Sequence, residues 1–122
     1  MNPDTAPPDY QRLFEQAPGA YLVLTPELRI VAASDAYLRS TMRRREDVVG
    51  RLAEEAFPPN PHADASALEA MRRSVAKVVR ERSPDVLGLQ RYDILRPPEE
   101  GGGYVERYWI PVDSPVLDES GE

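Results

Sequence analysis

The chain has 122 residues, a net charge of −6, one histidine and no cysteine. That length suits one compact domain with one core, and the composition excludes disulfides, thiolate or multi-histidine metal sites, cysteine nucleophiles and cysteine–flavin adducts. The acidic balance argues against a nucleic-acid surface, no apolar run nears the roughly 20 residues that span a bilayer, and "MNPDTAPPDY" lacks signal-peptide blocks, so a cytoplasmic location is expected.

Residues 1–9, rich in proline and acid, read as a loose arm. "YQRLFEQAPGA" predicts a short helix with Tyr10, Leu13 and Phe14 on one face, stopped by Pro18-Gly19. "AYLVLT" (20–25) and "RIVAAS" (29–34) read as two strands of a hairpin turned at "PEL". "SDAYLRSTM" (34–42) is a helix that Ser34 or Asp35 can cap. "REDVVGRLAEEAF" (45–57) gives one or two helical turns, with Gly50 as a break. The arginine run at 43–45 is followed at once by Glu46 and Asp47, which favours a solvated helix end.

A proline-rich loop (58–65) comes next. Ser66 and Glu69 have capping-box spacing, and Leu68, Met71, Val75 and Val78 follow at helical intervals, so the longest helix is expected over 66–82. Ser83-Pro84 ends it. "DVLGLQRYDILR" (85–96) and "YVERYWIPVDSPV" (104–116) are the arms of a second hairpin, joined by "PPEEGGG". That glycine run lacks the strand–glycine–helix setting of a dinucleotide site. "LDESGE" has the Asp and Gly of a turn. The predicted order is β-β-α-α-α-β-β: an α+β fold, with an antiparallel sheet covered on one face by short helices.

That order, with "RIVAASDAYL…VVGR…F", "QRYDILRP" and "ERYWIPVDSPVLDESG", resembles the PAS sensor domain. It is similar to the subgroup at the N-terminus of bacterial sensor histidine kinases and related signalling proteins. The resemblance covers roughly residues 10–122. It implies five antiparallel strands in spatial order 2-1-5-4-3. Four are visible in the sequence, so the fifth is expected to begin past Glu122, in a domain cut short there. A missing central strand would leave backbone groups unpaired on both neighbours. The tail 115–122, the N-terminal arm or a second copy of the chain is expected to fill that slot.

The resemblance also implies a ligand pocket between sheet and helices. Aligning "SPV" with the turn before the last strand points Arg107, Trp109, Pro111 and Asp113 inward, and Tyr108, Ile110, Val112 and Ser114 outward. The same alignment points Leu87, Leu89, Arg91 and Asp93 inward, and Gly88, Gln90, Tyr92 and Ile94 outward. The candidate ligand-binding residues are Arg91, Arg107, Trp109, Leu89 and Tyr37. An inward arginine either pairs with Asp93 or Asp113, as buried charges usually do, or holds an anionic ligand bidentately. Haem ligation at His62 is disfavoured, since a lone loop histidine is more often solvated. No cofactor is expected.

The implied function is sensing or relay by a non-enzymatic input domain. It would bind a small anionic or organic ligand, or form a homodimer, and control an attached output module such as a histidine kinase. The chain itself holds neither a phosphoacceptor helix nor a nucleotide-binding glycine pattern. The alternatives are a small α+β-cone enzyme of the ketosteroid-isomerase kind, using Tyr37, Asp35 and Asp93, and a ligand-free dimerisation module. Neither nucleic acid nor membrane is expected as a partner.

Overall fold

The computed structural model describes residues 7–61 and 66–117. The sequence readings for His62, for the start of the N-terminal arm and for the turn at 118–122 lie outside the described residues. The chain forms two compact units that divide between Ala53 and Glu54.

In the first unit, helix α1 (Tyr10–Glu15) starts at Asp9, whose carboxylate accepts from the Arg12 N–H. Strands β1 (Leu22–Leu24) and β2 (Ile30–Ala33) pair antiparallel, Leu22 opposite Ala33 and Leu24 opposite Ile30. The register slips at Val23/Leu24, which leaves Val31 as the extra residue on β2, exposed to solvent. The hairpin turns through Leu28 in the left-handed region (φ 69°). Helices α2 (Asp35–Thr41) and α3 (Arg45–Val48) follow. Met42 ends α2 in the left-handed conformation, and the Arg43 N–H returns to the Leu38 carbonyl. Past α3 the chain turns at Gly50 (φ 91°) and runs beside β2, where the Gly50 N–H donates to the Ile30 carbonyl and the Ile30 N–H donates to the Arg51 carbonyl. Ile30, Ala33, Leu38 and Val48 form this unit's core.

Ser34 is fully buried and joins two of these elements. Its Oγ accepts from the N–H of Tyr21 (2.9 Å) and of Tyr37 (3.3 Å), and donates to the Gly19 carbonyl (2.9 Å). The residue expected only as a helix cap also fixes the start of the first strand. Arg45, expected in a solvated basic run, is a staple. Its guanidinium donates to Asp35 (2.6 Å) and to the Ala33 carbonyl (3.0 Å), and pairs with Glu15 at 3.6 Å.

The second unit begins in the short helix α4 (Ala53–Ala56) and contains α5 (Ser66–Glu81). Leu68, Ser74 and Val78 are the buried stripe of α5, with Met71 and Val75 half-buried beside it. The helix stops at Arg82, which is left-handed (φ 54°). The second hairpin is broken into short rungs. On one arm lie β3 (Asp85–Val86), β4 (Gln90–Arg91) and β5 (Ile94–Leu95). On the other lie β6 (Tyr104–Val105), β7 (Tyr108–Trp109) and β8 (Val112–Asp113). The pairings β3–β8, β4–β7 and β5–β6 are all antiparallel. The hairpin adjacencies expected of strands one with two and three with four are therefore present.

Val86 lies opposite Val112, and Gln90 opposite Trp109. Leu87, Gly88 and Leu89 thus face only Ile110 and Pro111 across the ladder. That one extra residue is a bulge, and it reverses which side of the sheet each later residue of the arm faces.

Replacing Ser34 with Ala removes a cap and leaves the part-buried Tyr21 N–H and Gly19 carbonyl without their partner at once. A loss of about 2 kcal/mol is expected, read by urea unfolding, with the midpoint lowered and the slope unchanged.

Candidate functional site

Four of the five candidate residues stand on the second hairpin. Directly opposed residues share a face, so Arg91 sits with Tyr108, and Gln90 with Trp109. Arg91 is exposed and Leu89 is 66% exposed. The expectation that Leu87, Leu89, Arg91 and Asp93 share one inward face is corrected: of the four, only Leu87 and Asp93 are buried. Ile94, expected outward, is buried as well. The bulge at 87–89 is the physical reason, because the sequence reading assumed unbroken alternation. The other arm follows the alignment. Arg107, Trp109, Pro111 and Asp113 are half-buried, whereas Tyr108, Ile110, Val112 and Ser114 are exposed.

Asp93 is the centre of the arrangement, with its side chain 2% exposed. It accepts from Arg91 through Nε (3.0 Å) and a terminal nitrogen (3.0 Å), from Asn60 Nδ2 (3.1 Å) and from the Arg107 backbone N–H (3.3 Å). The bidentate Arg91 bond, aided by Asn60 and that backbone N–H, holds the Asp93 carboxyl below the usual carboxylate range against the opposing effect of burial. Arg91 also lies 3.5 Å from Glu106, which accepts from the Tyr108 hydroxyl (2.7 Å). The same ion pairing raises the Arg91 pKa further above its ordinary value.

The hairpin also grips the segment that leaves α4. The Tyr92 hydroxyl donates to the Phe57 carbonyl, and the Tyr104 hydroxyl donates to the Pro59 carbonyl (3.1 Å). With the Asn60–Asp93 bond, these fix residues 57–60 along the hairpin. Burial pushes the Tyr92 phenol up to about 12, so it remains a donor throughout the neutral range. Asn60 and Tyr104 were not singled out by sequence reasoning, and Tyr92, expected outward, is half-buried and bonded to the Phe57 carbonyl. Their roles depend on a contact across more than 30 residues, which no local pattern marks.

Arg107 differs from Arg91. Its guanidinium donates to the neighbouring Glu106 carbonyl (3.3 Å), and among the described residues it forms no ion pair. Trp109, two residues on and on the same face, donates its indole N–H to the Tyr92 carbonyl (3.1 Å). Tyr37 belongs to the first unit, on α2. There it is half-buried, and its carbonyl accepts from the Thr41 hydroxyl (2.8 Å). Asp35 and Asp93, the carboxylates of the enzyme alternative, are each committed to an arginine. Among the described residues no cluster of metal-ligating side chains occurs, and no helix is long and apolar enough to cross a membrane.

A sequence profile of the PAS fold matches residues 14–122. The chain belongs to the PAS fold family. Solved PAS domains superpose on it. One, from Bordetella pertussis BvgS, shares 24% identity with a TM-score of 0.53, covering 93% of this chain and 75% of that one. Another comes from a LuxR-family transcriptional regulator of Burkholderia thailandensis, in complex with ethanol. It shares 21% identity with a TM-score of 0.52, over 83% of this chain and 79% of that one. A third, from an HTR-like protein of Haloarcula marismortui, shares 17% identity with a TM-score of 0.50, over 81% and 77% of the respective chains. A search of the curated proteins returned no match. At these identities the solved relatives speak to the fold. PAS domains are signalling sensor modules found in histidine kinases and regulators, and they are typically non-enzymatic.

In this PAS domain the Asp93 network sets a pH dependence. The carboxyl binds its proton more weakly in the folded chain than in the unfolded one. Its contribution is therefore complete above the unfolded value near 3.9 and is lost as pH falls through the lower folded value. Asp93→Asn is expected to cost about 1–3 kcal/mol at pH 7, and the gap from wild type should narrow as the pH is taken towards 3. Thermal melts of both proteins across that range check it.

Proposed function

We propose that the chain is a sensory input domain that binds a small organic anion at Arg107 and passes the event to an attached output module, in the cytoplasm. The observation that carries this reading is the contrast between the two arginines. Arg91 is bound to Asp93 and Glu106, whereas Arg107, half-buried on the Trp109 face, has no acidic partner among the described residues. A guanidinium without a carboxylate partner, on a half-buried residue, is suited to a bidentate carboxylate or a similar planar anion. Trp109 beside it offers an apolar flank for the rest of such a molecule. Ligand binding acts on the output only by favouring one arrangement of the domain over another. Strand β8, at the end of the Arg107 arm, is the route to the residues that follow.

The opposite face of the same arm fits a second copy of the chain. Val86 and Val112 are directly paired, and with Tyr108 and Ile110 they form an exposed apolar ladder, each residue more than half accessible. Size-exclusion chromatography with light scattering is expected to show a dimer that Ile110→Glu disrupts. A monomer in both proteins removes this part of the reading.

The ligand reading is tested by thermal shift with a panel of small carboxylic acids. A binder at 100 times its dissociation constant stabilises by about 2.7 kcal/mol, a shift of several degrees. The shift should vanish in Arg107→Met, whose unliganded melting temperature stays near wild type. Arg91→Met should melt lower without ligand, because it deprives Asp93 of its bidentate partner. An identical ligand shift in Arg107→Met overturns the assignment.

A further inference from the structure

Tyr92 and Asp93 lie between β4 and β5, and each is bonded on two sides. On one side is the stretch that carries Arg107 and Trp109. The Tyr92 N–H donates to the Arg107 carbonyl (3.0 Å), the Trp109 indole N–H donates to the Tyr92 carbonyl (3.1 Å), and the Arg107 N–H donates to the Asp93 carboxylate (3.3 Å). On the other side is the segment Phe57-Pro58-Pro59-Asn60. The Tyr92 hydroxyl donates to the Phe57 carbonyl, and Asn60 Nδ2 donates to the Asp93 carboxylate (3.1 Å). One dipeptide is thus shared by two parts of the unit that are far apart in sequence.

The segment 57–60 is suited to move as one piece. Pro58 and Pro59 have a fixed φ and no N–H to give to a neighbouring strand, so the stretch is stiff and hairpin side chains supply its anchors. A displacement of the segment pulls on Asp93 through Asn60 and on Tyr92 through Phe57. The Asp93 side chain is 2% exposed, so water does not readily replace a lost donor, and the carboxylate follows the donors it keeps. One of those is the Arg107 N–H. We infer that Tyr92 and Asp93 are positioning residues for the Arg107–Trp109 face, and that the segment 57–60 sets that face through them. Coupling of this kind is reciprocal, so a group held at Arg107 is felt in the segment as strongly as the segment biases the face. The stretch between α4 and α5 is then a second exit for the signal, besides β8. This use of the coupling rests on the reading of Arg107 as the ligand site, but the coupling itself needs no ligand and is tested without one, so the two can fail separately.

Trp109 is the chain's one tryptophan, so its indole reports this face directly. The test follows the indole N–H and Arg107 amide resonances of the full chain by NMR. Asn60→Ala removes a donor to Asp93. Tyr92→Phe removes the bond to the Phe57 carbonyl and keeps the Tyr92 carbonyl that receives the indole. Both variants are expected to move both resonances. Ser34→Ala, which destabilises the first unit, should leave them in place, and this separates positioning from general loosening. Urea unfolding of Asn60→Ala, Trp109→Phe and their double variant completes a cycle. Coupled residues should depart from the product of their single effects on the unfolding constant by about threefold or more. Resonances unmoved in Asn60→Ala and Tyr92→Phe, or moved equally in Ser34→Ala, or a cycle whose effects simply multiply, overturn the inference. Should Trp109→Phe fail to fold, the resonances of the other variants decide it.

Discussion

One residue too many on one side of the second hairpin determines what each of its faces presents. Leu87-Gly88-Leu89 spans a stretch that Ile110-Pro111 covers on the other arm. The two arms stay hydrogen-bonded on either side, with Leu87 N–H reaching the Pro111 carbonyl at 3.0 Å. Beyond the bulge, however, the parity of the first arm is inverted. Leu89 and Arg91 turn to the solvent face, and Gln90 joins Trp109. The two arginines are thereby separated. One becomes an ion-pair partner on the exposed side, and the other is left on the half-buried side with the indole.

The separated arginine still serves the interior. Arg91 reaches Asp93, two residues along its own strand, where the ladder is interrupted between β4 and β5. That interruption lets a carboxylate turn in among backbone and amide donors. Ion pairs at a surface are worth little, but this carboxylate is buried, and removing its partners would leave it unsatisfied. Asp93 also helps explain why the segment Phe57-Pro58-Pro59-Asn60 holds a definite path. Its backbone carbonyls accept from two tyrosine hydroxyls, and its asparagine donates to the same carboxylate.

Much of this was readable from residue order. Alternation and turn residues marked both hairpins, the i, i+3, i+7 spacing marked α5, Gly50 marked the gap between α3 and α4, and Ser34 marked the start of α2. The sheet face on the 104–116 arm followed from the resemblance to PAS domains, against simple hydrophobicity, which would have buried Tyr108, Ile110 and Val112. The bulge was not readable in the same way. An apolar-polar run looks alike whether or not a residue is looped out, and Gly88 was its sole local hint. Arg45 was hidden for a different reason. Its partners, Glu15, Ala33 and Asp35, are set by tertiary proximity, and within the run 43–45 the three arginines are chemically equivalent.

The three hydrogen bonds at the Ser34 hydroxyl have a consequence for how the first unit comes apart. One oxygen closes the helix α2 start and the approach to strand β1, over separations of 13 and 15 residues. Loops of that size close at small entropic expense, so the link can form early and locally. Once it exists, neither end frays alone, because loosening the strand uncaps the helix and unwinding the helix releases the strand. The amino-terminal hairpin and its following helix thus behave as a single cooperative foldon, held at one atom.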